Sequence, residues 1–158
     1  MQDFIYEGGI RILYGAEQLP RVAEEIAKLG QRMLVIPTGS FLSGGHYETL
    51  ERALTGVGLV VFPLNAGRKP LLSKVQEGAR LCAEKQIDVV LGIGGGVSMD
   101  LAKAIAFGAR NTDVPMERFL TYEVSTDGRP MLPVVTIPTN PMSGSETNAD
   151  IQITLDES

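Results

Sequence analysis

The sequence predicts an α/β fold: a Rossmann-like parallel sheet with helices on both faces, preceded by a β-ribbon. Three observations carry this expectation. Apolar runs of strand length recur at 33–36, 59–62, 89–93 and 132–137, and apolar runs without alternation belong to strands buried on both faces. Between them lie segments whose apolar residues recur every three or four positions, at 19–27, 47–54 and 72–82, with a further one at 101–106, the period of an amphipathic helix. The links are short, and strands that alternate with helices over short links form parallel sheets. In such sheets ligands bind beyond the C-terminal ends of the strands.

Taken in order, Phe4-Ile5-Tyr6 and Arg11-Ile12-Leu13-Tyr14 flank Gly8-Gly9 and predict a hairpin or edge ribbon. Leu19, Val22, Ala23, Ile26 and Ala27 mark a helix with Pro20 in its first turn and Gly30 at its end. Met33-Leu34-Val35-Ile36 is a buried strand leading into the polar turn Pro37-Thr38-Gly39-Ser40. A helix carrying Tyr47, Leu50, Glu51 and Leu54, a strand at 59–62 and a helix lined by Leu72, Val75, Ala79 and Cys82 follow.

Residues 88–106 are the centre of the chain. Val89, Val90, Leu91 and Ile93 form a strand, Gly94-Gly95-Gly96 a tight turn, and Leu101, Ala102, Ile105 and Ala106 the face of a helix. Free N–H groups and the positive end of the dipole converge where that helix starts, and bare glycines let a pyrophosphate approach the backbone. Residues 107–131 are irregular, with turn signals at 111–115 and 127–130. The strand at 132–137 runs into a hydroxyl-rich loop at 138–147, and alternation at 149–155 predicts a final half-exposed strand. The polar turns at 37–40, 94–98 and 138–147 would all sit at the same edge of the sheet.

The length, 158 residues, suits a single domain with a real core. Net charge is −5, which argues against a nucleic-acid partner, since that needs a basic face. No apolar run reaches membrane-spanning length and no signal peptide precedes the first strand. A lone cysteine, Cys82, excludes an internal disulfide, so the cytoplasm is the expected compartment.

The chemistry points to nucleotide binding of an unusual lineage. Gly92-Ile93-Gly94 supplies the start of a dinucleotide fingerprint, but its third glycine would fall at Val97, and the turn follows a late strand. Ser98 reads equally as a helix cap or a phosphate contact. Asp100 and Lys103 read as a local ion pair. At the end of the second core strand, Thr38, Gly39 and Ser40 stand where an acid commonly holds the ribose 2′-hydroxyl of NAD; no acid or adjacent arginine is present, and the hydroxyls favour the 2′-phosphate of NADP. His46 is the only histidine and reads as structural. No residues are assigned as catalytic or metal-binding.

These segments resemble a known family. Gly94-Gly95-Gly96-Val97-Ser98-Met99-Asp100-Leu101-Ala102-Lys103 is similar to the G-G-G-S-x-x-D-x-A-K signature of iron-containing (group III) alcohol dehydrogenases, and Pro138-Thr139-Asn140-Pro141-Met142-Ser143-Gly144-Ser145-Glu146 to its P-T-T-x-G-T-G-S-E segment. The spacing between the two agrees. Thr38-Gly39-Ser40, with Gly45-His46-Tyr47 after it, resembles the butanol-dehydrogenase branch. The resemblance covers residues 4–156. It departs at Val97, where the family has serine, at Asn140, and at Pro141-Met142.

The resemblance implies an NAD(P)-dependent hydride transfer between nicotinamide and a primary alcohol or aldehyde, with a metal as Lewis acid. It assigns the cofactor to Gly94, Gly95, Gly96, Val97 and Ser98, to Thr38, Gly39 and Ser40, and to Thr139, Asn140 and Ser143. Family members hold iron or zinc through an Asp and three His in a helical C-terminal domain. The 158 residues are expected to form only the cofactor-binding domain, to hold no metal, to be inactive alone and to form a homodimer. The competing expectations are a non-catalytic nucleotide-binding or assembly module, and the cofactor domain of a glycerol-dehydrogenase-like enzyme.

Overall fold

A computed structural model describes residues 4–7, 9–15, 17–140 and 143–156. The predicted ribbon is present: β1 (Phe4–Glu7) pairs antiparallel with β2 (Arg11–Tyr14), Phe4 opposite Tyr14 and Glu7 opposite Arg11. Gly8 lies outside the described residues. Gly9 takes a φ of 80°, which suits a glycine in a tight reversal.

The remaining elements follow in the expected alternation. They are α1 (Leu19–Ala27), β3 (Arg32–Pro37), α2 (Gly39–Ser43), α3 (Tyr47–Gly56), β4 (Val60–Pro63), α4 (Leu72–Glu84), β5 (Val89–Gly94), α5 (Gly96–Gly108), α6 (Met116–Leu120) and β6 (Val134–Pro138). The four later strands form one parallel sheet in the order β4-β3-β5-β6. After β3 the chain moves outward to β4, then crosses back to place β5 on the other side of β3. The order therefore reverses between β3 and β5, and a crevice opens at such a switch point.

The pleat of β3 sorts its residues onto two cores. Met33 and Val35 join Ala23, Ile26, Leu50 and Leu54 beneath α1 and α3. Leu34 and Ile36 join Val75, Cys82, Leu101 and Ile105 beneath α4 and α5. The whole of β5 is buried, as expected of a strand covered on both faces. Two glycines let these layers close. A Cβ on Gly92 would come within 2.7 Å of the Ser98 carbonyl on α5, and one on Gly78 of α4 within 2.7 Å of Ile105 Cγ1. Cys82 is core, 4 % exposed, as its place on the apolar stripe predicts.

Three elements differ from expectation. The polar turn at 37–40 continues into the one-turn helix α2, with Thr38 as its N-cap residue. The irregular stretch contains α6, whose Met116 and Phe119 sit one turn apart and are buried; five residues are too few to show a period. The final strand does not form. Residues 149–155 contain a single bridge, Leu71 to Thr154. The alternation has a physical basis, because Ile151 and Ile153 pack on the core. The backbone there bonds to α5 side chains at Asp150 and Gln152 and to the backbone of Pro70 and Leu72 at Thr154.

Candidate nucleotide site

The three polar turns do converge at the C-terminal edge of the sheet. Gly94 leaves β5 with φ 140°, a region that L side chains rarely adopt, and a Cβ there would collide with Thr38 Cγ2. Gly95 is the N-cap residue of α5, with φ −94° and ψ −166°, and no side chain caps the helix. The first N–H groups of a thirteen-residue helix thus face the switch point without a side-chain acceptor.

Backbone bonds tie the flanking loops to this turn. Thr38 N–H donates to the Ile93 carbonyl (3.2 Å) and Thr139 N–H to the Gly94 carbonyl (2.9 Å). The hydroxyl-rich loop then lies over the glycines. A Cβ on Gly95 would come within 3.2 Å of Asn140 Nδ2, and one on Gly96 within 3.1 Å of Ser143 Cβ. Thr139, Asn140 and Ser143 are therefore brought to the turn, while Pro141 and Met142 lie outside the described residues.

Val97 and Ser98 are placed differently. Val97 packs partly buried against the core, so only its backbone N–H is available to a ligand. Ser98 is not the cap. It lies at the third helical position, 0 % exposed, beneath the turn, with Oγ 3.1 Å from where a Gly94 Cβ would stand. That hydroxyl is buried with no hydrogen-bond partner, a costly state that a nearby ligand or water oxygen would relieve.

Beside the turn, Thr38, Gly39, Ser40, Asn65, Gly67 and Arg68 line a cavity of about 440 Å³. Thr38 Oγ1 and Ser40 Oγ lie 3.2 Å apart. Asn65 Oδ1 accepts from Gly67 N–H at 2.9 Å, which folds the loop after β4 toward Arg68. No carboxylate lines the cavity, and among the described residues no acid pairs with Arg68. Sequence reasoning found no arginine adjacent to Thr38 and missed this one. The signal lay in topology, since parallel pairing of β3 with β4 puts the loops beyond both strands side by side.

Asp100 and Lys103 do form the expected ion pair, at 3.5 Å, with side chains 14 % and 11 % exposed. Their main partners were not foreseen. Asp100 accepts from Ser145 Oγ (2.6 Å) and from Gln152 N–H (3.1 Å). Lys103 Nζ donates to the carbonyls of Ser145 (3.1 Å), Asn148 (3.4 Å) and Asp150, and to Asn148 Oδ1 (3.3 Å).

Other reactive groups stand apart from this site. Burial pushes the Cys82 thiol up to about 11, with the Arg110 charge opposing. Burial, aided by Glu51, also raises the Tyr47 phenol. His46 is exposed beside Phe41, ring centroids 6.0 Å apart. Among the described residues no three His, Cys, Asp or Glu side chains group together as metal ligands, so the described residues do not fit iron or zinc. No helix among them is long and apolar enough to cross a membrane.

The fit to a dinucleotide is different: a bare cradle, unengaged helix amides and an orphaned buried hydroxyl lie together at the switch point. Comparisons agree. The family model described as iron-containing alcohol dehydrogenase matches residues 10–158. A relative from Bacillus subtilis named probable NADH-dependent butanol dehydrogenase 2 is 32% identical over 156 residues, 98% of this chain and 39% of that protein. The NAD-dependent methanol dehydrogenase of Bacillus methanolicus is 33% identical over 144 residues, 89% of this chain and 36% of its own length. The crystal structure of an NADH-dependent butanol dehydrogenase A from Thermotoga maritima superposes with a TM-score of 0.73 at 28% identity, covering 88% of this chain and 35% of that one. The chain thus spans about two fifths of the length of the curated relatives it matches.

Proposed function

The chain belongs to the iron-containing alcohol dehydrogenase family, and on that premise we propose that it is the nicotinamide-dinucleotide-binding part of a metal-dependent enzyme that moves hydride between the cofactor and a primary alcohol or aldehyde. The observation that carries this reading is the start of α5, where Gly95 and Gly96 leave the helix amides open and Ser98 Oγ lies unpartnered beneath them. The dinucleotide, when bound, supplies the C4 position that gives or takes the hydride. The residues of this chain bind and orient it. Amides of residues 96–98 bind the pyrophosphate, and Thr139, Asn140 and Ser143 close over it.

The cavity beside Thr38 takes the adenosine ribose, and its lining favours the 2′-phosphorylated form, NADP. Two hydroxyls and Arg68 face it and no acid does, and an arginine near this position accommodates a 2′-phosphate. Several relatives carry NADH in their names, so this preference is a property proposed for this chain. The metal and the group that polarises the substrate oxygen come from residues other than those described. Assembly as a homodimer is proposed on the ribbon β1–β2, which pairs with no strand of the main sheet and is marginal on its own; a sharp monomer mass by light scattering at high concentration would argue against it. The cytoplasm suits the free buried Cys82.

The direct test is turnover and binding measured together. The purified chain should bind NADPH yet leave butyraldehyde unreduced with iron or zinc added. Steady turnover by homogeneous protein, or absence of cofactor binding, would contradict the proposal.

A further inference from the structure

Arg68 lines the cavity beside Thr38 from an exposed loop position. Among the described residues no acid pairs with its guanidinium, so the backbone that carries it decides where the charge lies. We propose that Asp156 is a positioning residue for Arg68 and, through it, sets the discrimination between NADPH and NADH. This rests on the reading of that cavity as the site of the 2′-phosphate.

Two anchors flank Arg68. On the β4 side, Leu64 N–H donates to the Val35 carbonyl (2.8 Å) and Ala66 N–H to the Pro37 carbonyl (3.0 Å), which carries the β3–β4 pairing past the end of β4. On the α4 side the anchor comes from the far end of the chain. Thr154 N–H donates to the Pro70 carbonyl (2.8 Å), and the Thr154 carbonyl accepts from Leu72 N–H (2.9 Å). Asp156 then accepts from Ser73 N–H and Ser73 Oγ, at 2.7 and 2.6 Å. No side chain of Leu71 caps α4, so Thr154 and Asp156 meet the amides that open it, and the Asp156 charge suits the positive end of its dipole. Ile151 and Ile153 pack on the core, which pins the strap that carries both groups. Only Gly67, Arg68 and Lys69 separate Ala66 from Pro70. A shift of the α4 anchor therefore reaches Arg68 with little slack.

The test reads NADPH and NADH affinity by fluorescence in the unaltered chain, Asp156→Ala, Arg68→Ala and the double variant, with amide exchange by mass spectrometry on the first two. Asp156→Ala should weaken NADPH by about fivefold and change NADH by less than about twofold. With Arg68→Ala already present, Asp156→Ala should change NADPH affinity by less than about twofold, because residues that act through one another do not add. Exchange in residues 69–74 should rise by about tenfold more than in β3 and β5. Equal losses of NADPH and NADH, or a uniform rise in exchange, would overturn the positioning role and make Asp156 a residue of general stability. Unchanged NADPH affinity in Asp156→Ala, or the same loss with Arg68 already removed, would overturn it too and leave the role of Arg68 intact. If Arg68→Ala weakens both cofactors alike, the 2′-phosphate reading fails, and the positioning role with it.

Discussion

Gly95→Asp separates the demands of the fold from those of the ligand. The position has φ −94° and ψ −166°, which any residue adopts without strain. It is the N-cap of α5 and presently offers no side-chain acceptor. Aspartate caps better than glycine by a few tenths of a kcal/mol, and its charge gains roughly 0.3–1 kcal/mol from the dipole. The nearest heavy atom to the new Cβ is Asn140 Nδ2 at 3.2 Å, a side-chain terminus that must give by a few tenths of an ångström. The variant should gain roughly 0.5–1 kcal/mol, a rise of about 1–4 °C in Tm for a chain of this size. The ligand fares oppositely. A carboxylate about 4 Å from a pyrophosphate charge costs up to about 4 kcal/mol at an effective dielectric of roughly 20. After screening by salt, at least about a hundredfold loss of NADPH affinity is expected. Thermal denaturation and nicotinamide fluorescence read the two effects on one sample. Affinity equal to the unaltered chain would refute the cradle, and a falling Tm would refute the cap geometry. Gly94→Ala is the contrast: it meets Thr38 at a φ of 140° and should lose about 1–3 kcal/mol of stability.

Two further predictions concern specificity and acid stability. Arg68→Ala should weaken NADPH by about tenfold and leave NADH unchanged, while Gly39→Asp, where a new Cβ meets no atom within 4 Å, should reverse the preference by repelling the 2′-phosphate; equal losses for both cofactors from Arg68→Ala would remove the arginine from the 2′-phosphate site. The Asp156 carboxylate, which accepts from Ser73 Oγ and Ser73 N–H at 2.6 and 2.7 Å, is held below its ordinary pKa by those bonds. Its stabilising contribution is present above the unfolded-state pKa of about 3.9 and is lost as pH falls through the lower folded value. The stability gap between the unaltered chain and Asp156→Ala, read by urea denaturation, should close below about pH 4, and a gap of constant size from pH 7 to pH 3 would contradict this.

The sequence was most legible where a local pattern and the tertiary environment agree. Residues 89–93 and 101–106 were legible because β5 and α5 are buried enough that nearly every position is apolar. The glycine turn was legible because Gly94 and Gly92 have no tolerable substitute in this packing. Features that depend on distant partners were hidden. Helix α4 has Leu71, a residue with no capping group, at its N-cap, and its first amides are met by Thr154 and Asp156 from the far end of the chain. The same remote tethering turned 149–155 from an expected strand into a strap, since Asp100 and Lys103 take backbone groups that a ladder would have used. Arg68 was missed for a related reason. It lies 30 residues from Thr38 in sequence (68 − 38) and reaches the same cavity only because β4 pairs beside β3. Of the two readings open for Ser98, the helix cap fails because the helix starts two residues before it.

The central claim is that the open start of α5 holds the pyrophosphate of a nicotinamide dinucleotide. Titration of the chain with NADPH and NADH, followed by isothermal calorimetry and repeated in the presence of inorganic pyrophosphate, tests it most directly. The account predicts saturable binding of one dinucleotide per chain, tighter for NADPH, and competition by pyrophosphate. No saturable binding of either dinucleotide at up to about 1 mM, a free energy weaker than about −4 kcal/mol, would contradict it.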